Sequence, residues 1–204
     1  MRGLEQIPWI YDGLCTVLER TGLAPWRRWL ADGARGRTLD VGCGTGRGLH
    51  LYGAGVRVIG VDPAWHSLQR ARRRVPGVPL VQGSVEALPF RERAFDTVVA
   101  SLVFCSVAEP ARGLAEVKRV MRPDGRLRML EHVRSHRAWK AAFQDRIQPL
   151  WTWASGGCRP NRDTERAVEA AGFVIEGDGR AEMADMRRFS ARASARGPYT
   201  SLPE

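Results

Sequence analysis

The sequence lacks any apolar run of about 18 residues, which is the length that a membrane-spanning helix needs. Its first residues, MRGLEQIPWIYDG, contain acidic side chains and no uninterrupted apolar segment, so they do not resemble a secretory signal peptide. No membrane span is therefore expected. The predicted location is the cytoplasm, with peripheral contact to a membrane left open.

Cysteine is scarce and dispersed. The four cysteines stand at positions 15, 43, 105 and 158, and no two of them form a CxxC pair. Such spacing indicates neither a zinc site nor a disulfide framework. The sequence therefore predicts no metal, and reduced thiols are the simplest expectation for a chain without an export signal.

Lysine is almost missing. Only Lys118 and Lys140 occur among 32 basic residues, and the formal net charge is +10. An arginine excess of this kind can mark a nucleic-acid-binding surface, or it can reflect codon usage on solvated surfaces. The densest cluster, Arg70–Arg74, ends a predicted helix, where the helix dipole favours cations. No RNA-binding signature accompanies it, so nucleic acid is not the expected partner.

What the sequence does contain is a regular alternation of strand-like and helix-like segments. Helices are predicted at about 64–74, from Pro110 to about 121, and from Thr164 as N-cap to Gly172. This order predicts an open, mostly parallel α/β sheet with helices on both faces. The predicted strands are 38–41, 57–61, 79–82, 95–104, 126–133 and 173–176.

Six of the seven tryptophans fall in two segments outside this alternation, residues 1–37 and 134–160. These aromatic segments either cover the sheet or form a lid over a ligand, and the two roles are compatible. Sheets of this type bind ligands beyond the carboxyl ends of their strands, which is where such a lid would lie.

The stretch LDVGCGTGRG at 39–48 places four glycines directly after a predicted strand. An NTPase phosphate loop is excluded, because the lysine and hydroxyl residue of GxxxxGK[ST] are missing. A dinucleotide fingerprint fits poorly, since Arg47 occupies the third glycine position when the motif is counted from Gly42. Asp62, at the next strand end, would suit a ribose diol in either case.

A third interpretation comes from five elements in order. They are 40–46 (DVGCGTG), 61–63 (VDP), 83–90 (GSVEALPF), 95–99 (FDTVV) and 120–125 (VMRPDG). Together they resemble the class I S-adenosylmethionine-dependent methyltransferases, of the methyltransferase type 11 group. The resemblance implies a Rossmann-like, mostly parallel seven-stranded sheet and S-adenosylmethionine as cofactor, with S-adenosylhomocysteine as product.

The resemblance also implies an organisation for the single domain. The expected parts are an N-terminal helical lid (1–37), a cofactor-binding core (38–133), a substrate-lid insertion (134–160), the C-terminal part of the sheet (161–195) and a disordered tail (196–204). The family ends in an antiparallel strand pair, whereas MRRFSARASA at 186–195 is a poor strand by composition. The last strand is therefore expected to be degenerate or the sheet shortened.

The matching motif positions carry the expected cofactor contacts. The glycines let main chain approach the methionine part, Asp62 accepts the ribose hydroxyls, the peptide at Ser84–Val85 meets the adenine, and Ser101 lies near the methionine amino group. Ser84 stands where the family often has aspartate, so it supplies no charge. The full implied set is Asp40, Gly42, Cys43, Gly44, Gly46, Asp62, Pro63, Ser84, Val85, Glu86 and Ser101.

Further resemblance, in 102–107, 130–133 and 157–164, is to a branch with thiol methyltransferase-like and bacterial phospholipid N-methyltransferase-like proteins. Quinone-biosynthesis methyltransferases are similar in the central elements. The implied acceptor is small and partly apolar: a thiol, an amine or a quinone-like molecule. The candidate catalytic residues are His132, Tyr11 and Asp12, with His132 as a base or a backbone-bonded histidine. The candidate substrate-side residues are Cys105, Glu131, Trp139, Trp151 and Cys158.

Three alternatives to a small-molecule methyltransferase stay open at this point: an RNA methyltransferase, a protein methyltransferase and a non-catalytic cofactor-binding protein. An RNA or protein methyltransferase is motivated by the charge of +10. The base-stacking signature NPPY of nucleic-acid amino methyltransferases is missing after the fourth strand, where 101–106 reads SLVFCS. A non-catalytic cofactor-binding protein is the third. The expected state is a monomer or a homodimer.

Overall fold

A computed structural model describes residues 22–155 and 157–194 of the chain. The predicted candidates Tyr11 and Asp12, and the predicted tail 196–204, lie outside these residues. The described elements, in order, are α1 (Ala24–Asp32), β1 (Arg37–Val41), a 3-10 turn (Leu49–Leu51), β2 (Arg57–Asp62), α2 (Trp65–Arg74), β3 (Leu80–Gln82), β4 (Phe95–Ser101), α3 (Pro110–Val120), β5 (Met121–His132), α4 (Ala138–Ala154), α5 (Thr164–Ala170), β6 (Phe173–Met183) and β7 (Met186–Ala193).

The strands form one seven-stranded sheet in the order β3-β2-β1-β4-β5-β7-β6. Neighbours from β3 to β5 pair in parallel, and β7 alone runs against the others, between β5 and β6. The predicted Rossmann-like seven-stranded sheet is confirmed. From β1 the chain builds the sheet outward to β2 and β3 on one side, and then returns to the other side of β1 with β4. Sheets of this kind bind ligands at such a switch point, here between β1 and β4.

The central strands form because both of their faces are covered. In β4, Phe95, Val98 and Ala100 have no exposed surface, and Leu39 in β1 is equally buried. Continuous apolar strands of this type belong to the middle of a parallel sheet. The core of the domain therefore lies directly under the carboxyl edge where β1 and β4 end.

Several boundaries differ from the sequence prediction. The N-cap of α5 is Asp163, whose carboxylate accepts from the Arg166 amide, and the predicted cap Thr164 is the first helical residue. The fourth strand ends at Ser101 rather than at 104, and the fifth begins at Met121 directly after α3. Asp163 is the stronger cap because an aspartate side chain reaches the free amide three residues on.

The expectation of a degenerate last strand was wrong. β7 is complete and pairs on both sides, with β5 and with β6. Two of its arginines form ion pairs: Arg187 pairs with Glu165 and Glu182, and Arg192 pairs with Glu176. The Arg188 guanidinium lies over the Trp26 and Trp29 rings, and its buried Nε has no hydrogen-bond partner among the described residues. Strand propensity read from composition fails here because tertiary ion pairs offset the cost of burying arginine.

Helix α1 is fixed to the sheet by one buried arginine from β5. The Arg128 guanidinium lies 3.8 Å from the Trp29 ring centre and donates to the carbonyls of Leu30, at 3.0 Å, and of Trp29. It also donates to Ser190 Oγ in β7 at 3.1 Å. Tryptophans in the predicted N-terminal lid thus cover the sheet, although the same helix also borders a cleft described below.

Replacing Arg128 is expected to destabilise the fold, because these contacts attach α1 to the sheet. The variant Arg128→Met removes a donor from the Leu30 carbonyl and from the Trp29 carbonyl, which keeps only the long bond from the Gly33 amide at 3.4 Å, and it should lower the free energy of unfolding by about 2–3 kcal/mol. Arg126→Met is the matched control on the same strand, because Arg126 forms a partly exposed ion pair with Glu176 and should cost less than about 1 kcal/mol. Urea unfolding of the two variants measures the difference, and equal losses would refute the assignment.

Helix α4, in the predicted insertion, carries an exposed aromatic face. Trp139, Trp153 and Trp151 are 68%, 60% and 43% exposed, and Phe143 is 56% exposed. Within the described part of the chain, no helix has the length and apolar content to span a bilayer.

Candidate active site

The glycine loop after β1 has three left-handed glycines with different reasons for lacking a side chain. Gly42, Gly44 and Gly46 have φ of +63°, +54° and +78°. A Cβ at Gly42 would meet Val103 at 2.5 Å, and one at Gly46 would meet Ala71 at 2.9 Å, so both are needed for packing. A Cβ at Gly44 would meet nothing closer than the Gly42 carbonyl at 4.0 Å. Of these three glycines, only Gly44 thus has open space where a side chain would stand.

Asp62, at the end of β2, holds this loop in place. One carboxylate oxygen accepts from the Gly44 amide at 2.9 Å and the other accepts from the Ala64 amide at 2.8 Å. Burial raises the pKa of Asp62, and these two bonds oppose the rise. Each carboxylate oxygen has a second lone pair, so the group retains capacity for two further donors.

Asp40, at the end of β1, is a buried acid beside a tyrosine and an arginine. Tyr52 donates its hydroxyl proton to Asp40 at 2.8 Å, and the charge of Arg27 from α1 acts on the same carboxyl. Burial is the larger effect and raises the pKa of Asp40 to about 7. Neither Tyr52 nor Arg27 was singled out from the sequence, since no motif links them to the glycine loop.

The raised pKa of Asp40 predicts a pH-dependent stability of the unliganded protein. Because the folded-state pKa of about 7 lies above the ordinary aspartate pKa of 3.8, protonation stabilises the fold below pH 3.8 and this stabilisation is lost as the pH rises to 7. The loss is at most about 1.4 kcal/mol per pH unit. Asp40→Asn should flatten that part of the curve, whereas the exposed control Asp178→Asn should not. Urea unfolding between pH 4 and pH 8 tests this, and an unchanged slope in Asp40→Asn would contradict it.

A cleft opens between α1 and the carboxyl ends of β1 and β4, and we call it the cofactor cleft. Ser101 Oγ is buried there and has no hydrogen-bond partner among the residues that the structure describes. An orphaned hydroxyl in a cleft that also holds a buried acid is what a bound polar group would complete. The cleft is lined by Arg27, Leu30, Ala31, Asp40, Gly42, Cys43, Thr45, Arg47, Gly48, Tyr52, Val99 and Ser101.

The predicted adenine segment is ordered by its own side chains. Ser84 Oγ accepts from the Glu86 amide at 3.2 Å and also lies 3.3 Å from the Glu86 carboxylate, which in turn accepts from the Glu109 amide. Val85 is a buried core residue, so its backbone rather than its side chain is available to a ligand. The segment therefore offers main-chain groups at a fixed position.

Glu131 was expected on the substrate side, and the structure places it elsewhere. It is fully buried, and its carboxylate accepts the backbone amides of Val103, Phe104 and Cys105 at 2.9, 2.9 and 3.2 Å. Burial raises its pKa to about 7 against these bonds. Glu131 thus shapes the turn after β4, a role invisible in sequence because its partners are main-chain atoms.

Cys105, His132 and Cys158 meet in space, and we call them the thiol–imidazole cluster. Their ligand atoms all lie within 4.8 Å of one another, and Cys158 Sγ is 3.7 Å from His132 Nδ1. Both thiols are buried and the imidazole is half-buried. The hydrogen bond from Cys105 lowers the pKa of Cys158, and that same bond, with burial, raises the pKa of Cys105. The Nδ1 nitrogen of His132 thus faces a sulfur atom.

The two aromatic candidates for the substrate side, Trp139 and Trp151, lie in different surroundings. Trp151 lies against the thiol–imidazole cluster, since its indole N–H is hydrogen-bonded to Cys158. Trp139 is mostly exposed at the start of α4. The cluster also escaped prediction as a unit, because its members come from three segments separated by more than twenty residues.

A sheet of this strand order, with a glycine loop after β1 and an acid ending β2, defines the class of S-adenosylmethionine-dependent methyltransferases. Comparison with protein families matches residues 39–129 to the family described as methyltransferase domain. The match covers a little less than half of the chain. S-adenosylmethionine is the cofactor that the family and the fold imply.

The chain is also similar in sequence to two curated relatives. Over 151 residues the chain is 34% identical to thiol S-methyltransferase TMT1B of Homo sapiens, covering 69% of this chain and 62% of the relative. It is 36% identical over 126 residues to demethylmenaquinone methyltransferase of Renibacterium salmoninarum, covering 59% and 53%. The chain thus spans less than two thirds of the length of these relatives.

A solved structure agrees on the architecture. The S-adenosylmethionine dependent methyltransferase from Mesorhizobium loti superposes with a TM-score of 0.64 and 20% identity, over 82% of this chain and 96% of that one. At that level of identity the likeness concerns the fold alone.

Proposed function

We propose that the chain transfers the methyl group of S-adenosylmethionine to a small, partly apolar acceptor: a thiol, an amine or a quinone-like molecule. The observations that carry the proposal are the cofactor cleft with its orphaned Ser101 hydroxyl and, in the same glycine loop, the open space above Gly44. The likeness to methyltransferases of a thiol and of demethylmenaquinone supports the small acceptor.

The residues of the cleft, together with those at the ends of β2 and β3 outside its lining, fit the two ends of the cofactor. Asp62 would accept the ribose hydroxyls through its remaining lone pairs, with Pro63 beside it, and the backbone at Ser84–Glu86 would border the adenine. At the other end Asp40 and Ser101 would hold the methionine ammonium, and Arg27 and Arg47 line the same cleft with charge opposite to its carboxylate. Bound methionine would also offset the cost of burying Asp40.

The bound cofactor supplies a methyl group already activated by the positive sulfonium, so the protein needs chiefly to align an acceptor and exclude water. Helix α1 covers one side of the cleft through Leu30 and Ala31. Tyr11 and Asp12 stay predictions for closure over the cofactor, and Trp139 for the acceptor side. A thiolate or neutral amine needs no further assistance, whereas a hydroxyl acceptor needs a base, the predicted role of His132.

The proposal is tested by release of S-adenosylhomocysteine from S-adenosylmethionine with one acceptor of each class. Turnover with a small thiol, amine or reduced quinone supports it. Cofactor binding without turnover on any of them would instead favour a non-catalytic binding protein, and tight, salt-sensitive RNA binding would favour the nucleic-acid alternative. A cytoplasmic location, a monomeric or homodimeric state and peripheral membrane contact are further predictions.

A further inference from the structure

The thiol–imidazole cluster has the composition of a metal site. Two thiols and one imidazole converge from separate segments: Cys105 follows β4, His132 ends β5, and Cys158 precedes α5. Thiolate sulfur and imidazole nitrogen are the ligands that Zn²⁺ prefers, and thiols of this kind bind it as thiolates. The sequence prediction of no metal rested on cysteine spacing, which carries no information on this grouping in space.

The distances suit a tetrahedral ion. With Zn–S near 2.3 Å and Zn–N near 2.0–2.1 Å, tetrahedral geometry separates sulfur from nitrogen by about 3.6 Å and sulfur from sulfur by about 3.8 Å. Cys158 Sγ and His132 Nδ1 are 3.7 Å apart, and the remaining pairs lie within 4.8 Å. An ion therefore fits with side-chain adjustments of an ångström or less.

Surrounding bonds hold the ligands in position. The Cys105 amide donates to Glu131, and the Cys105 carbonyl accepts from the Arg159 amide at 2.8 Å. The Cys158 carbonyl accepts from Thr152 in α4 at 2.9 Å. Such supporting contacts to the backbone orient a ligand set before the metal arrives.

We propose that Cys105, His132 and Cys158 bind one Zn²⁺, and that the fourth coordination position takes the thiolate of a small thiol acceptor. Sites with three protein ligands leave a position for an exogenous group, unlike the closed four-ligand structural sites. Among the residues that the structure describes, no fourth His, Cys, Asp or Glu joins the group. The assignment of the thiol rests on the proposed function and selects one of its three acceptor classes.

The position in the fold agrees with an acceptor site. The cluster lies past the carboxyl ends of β4 and β5, the sheet edge that also carries the glycine loop, and Ser101 of the cofactor cleft precedes Cys105 by four residues. His132 is half-buried and Trp151 is 43% exposed, so the side from which a ligand would enter is aromatic.

The chemistry is balanced without a change of oxidation state. On binding zinc the acceptor thiol releases its proton to solvent. Its sulfur then forms the bond to the methyl carbon as the bond from that carbon to the cofactor sulfonium breaks, leaving a thioether and S-adenosylhomocysteine. The thioether is neutral and a weaker ligand than the thiolate, which would favour its release.

Metal binding is tested first, in the full chain without cofactor. Metal-depleted protein is titrated with Zn²⁺ and, separately, with Co²⁺, whose thiolate charge-transfer and visible bands report ligand type and geometry. We expect about one ion per chain with tetrahedral bands showing thiolate ligation. Loss of both bands in Cys158→Ser and in His132→Ala supports the site. A matched control, Cys15→Ser with Cys43→Ser, removes the other two cysteines and should retain about one ion.

Three results would overturn the site. They are no stoichiometric metal, metal retained in both cluster variants that fold by circular dichroism, and a Cys105–Cys158 disulfide found by mass spectrometry in protein kept under reductant. Cys105→Ser provides an additional fold-checked variant if either of the others unfolds.

The fourth position is tested by adding a small apolar thiol to the cobalt-loaded protein. We expect the thiolate charge-transfer band to increase, as one further thiolate joins the ion, and an alcohol of the same shape to have no effect. An unchanged spectrum would overturn the acceptor assignment while leaving the metal site. Neither readout needs turnover, so a protein that binds zinc and thiol but releases no S-adenosylhomocysteine would count against the proposed function alone.

Discussion

Asp62→Ala is expected to weaken S-adenosylhomocysteine binding about 100-fold, or about 2.7 kcal/mol, a much larger loss than that expected for Ser84→Ala. The variant removes the proposed acceptor of both ribose hydroxyls and also the tether on the Gly44 amide. Ser84→Ala removes one uncharged hydroxyl already bonded to Glu86 and should cost less than about 1.5 kcal/mol. Isothermal calorimetry compares the two.

A ligand without the methionine end separates the roles within the cleft. 5′-Methylthioadenosine keeps the adenosine but has no amino or carboxyl group. Asp62→Ala should weaken its binding as it weakens S-adenosylhomocysteine, whereas Ser101→Ala should weaken S-adenosylhomocysteine alone. The reverse pattern, or a larger loss from Ser84→Ala than from Asp62→Ala, would show that the cofactor lies differently in the cleft.

Glu131→Ala is expected to lower the free energy of unfolding by about 3–5 kcal/mol, because three buried amides lose their acceptor. Glu131→Gln keeps one oxygen, which can serve Val103 and Phe104, but turns its amide group toward the Cys105 N–H. Its expected cost is about 1–2 kcal/mol. Urea unfolding measures both, with the exposed Glu182→Gln, which carries a salt bridge to Arg187, as a control near or below about 1 kcal/mol.

Local hydrogen exchange makes the Glu131 prediction specific. In Glu131→Gln the amides of residues 103–105 should lose protection, with the Cys105 amide losing most. An equal loss of protection across the whole sheet would mean that Glu131 acts only on global stability and does not define the turn.

The α/β architecture was readable from sequence because it is written in local signals. Buried parallel strands such as β4 are continuous apolar runs, and prolines mark the beginnings of α1 and α3. Residues 186–195 were misjudged for the opposite reason. β7 is held by hydrogen bonds to β6, which directly precedes it, and to β5, and by ion pairs such as that of Arg187 with Glu165. The partners in β5 and Glu165 are distant in sequence, so no local signal reveals them.

The residues of the candidate site likewise fall into two groups, those that local sequence motifs reveal and those that only the fold brings together. Gly42, Gly44 and Asp62 were found because they form contiguous motifs at strand ends. Tyr52 and Arg27, which act on the buried Asp40, and the three members of the thiol–imidazole cluster come together only through the fold. Sequence also could not separate glycines needed for packing, Gly42 and Gly46, from Gly44, which faces open space.

The central claim, that the space above Gly44 receives the cofactor, is tested most directly by calorimetric titration of Gly44→Val with S-adenosylhomocysteine. Gly77→Val is the matched control: Gly77 also has a positive φ, +97°, and open space around it, but it follows α2, away from the cleft lining. Both variants should lose comparable stability, about 1–2 kcal/mol, from placing a side chain in the left-handed region. We expect S-adenosylhomocysteine to bind at least about 100-fold more weakly to Gly44→Val, and Gly77→Val to bind it as the unchanged protein does. Binding by Gly44→Val equal to that of Gly77→Val would contradict the central claim.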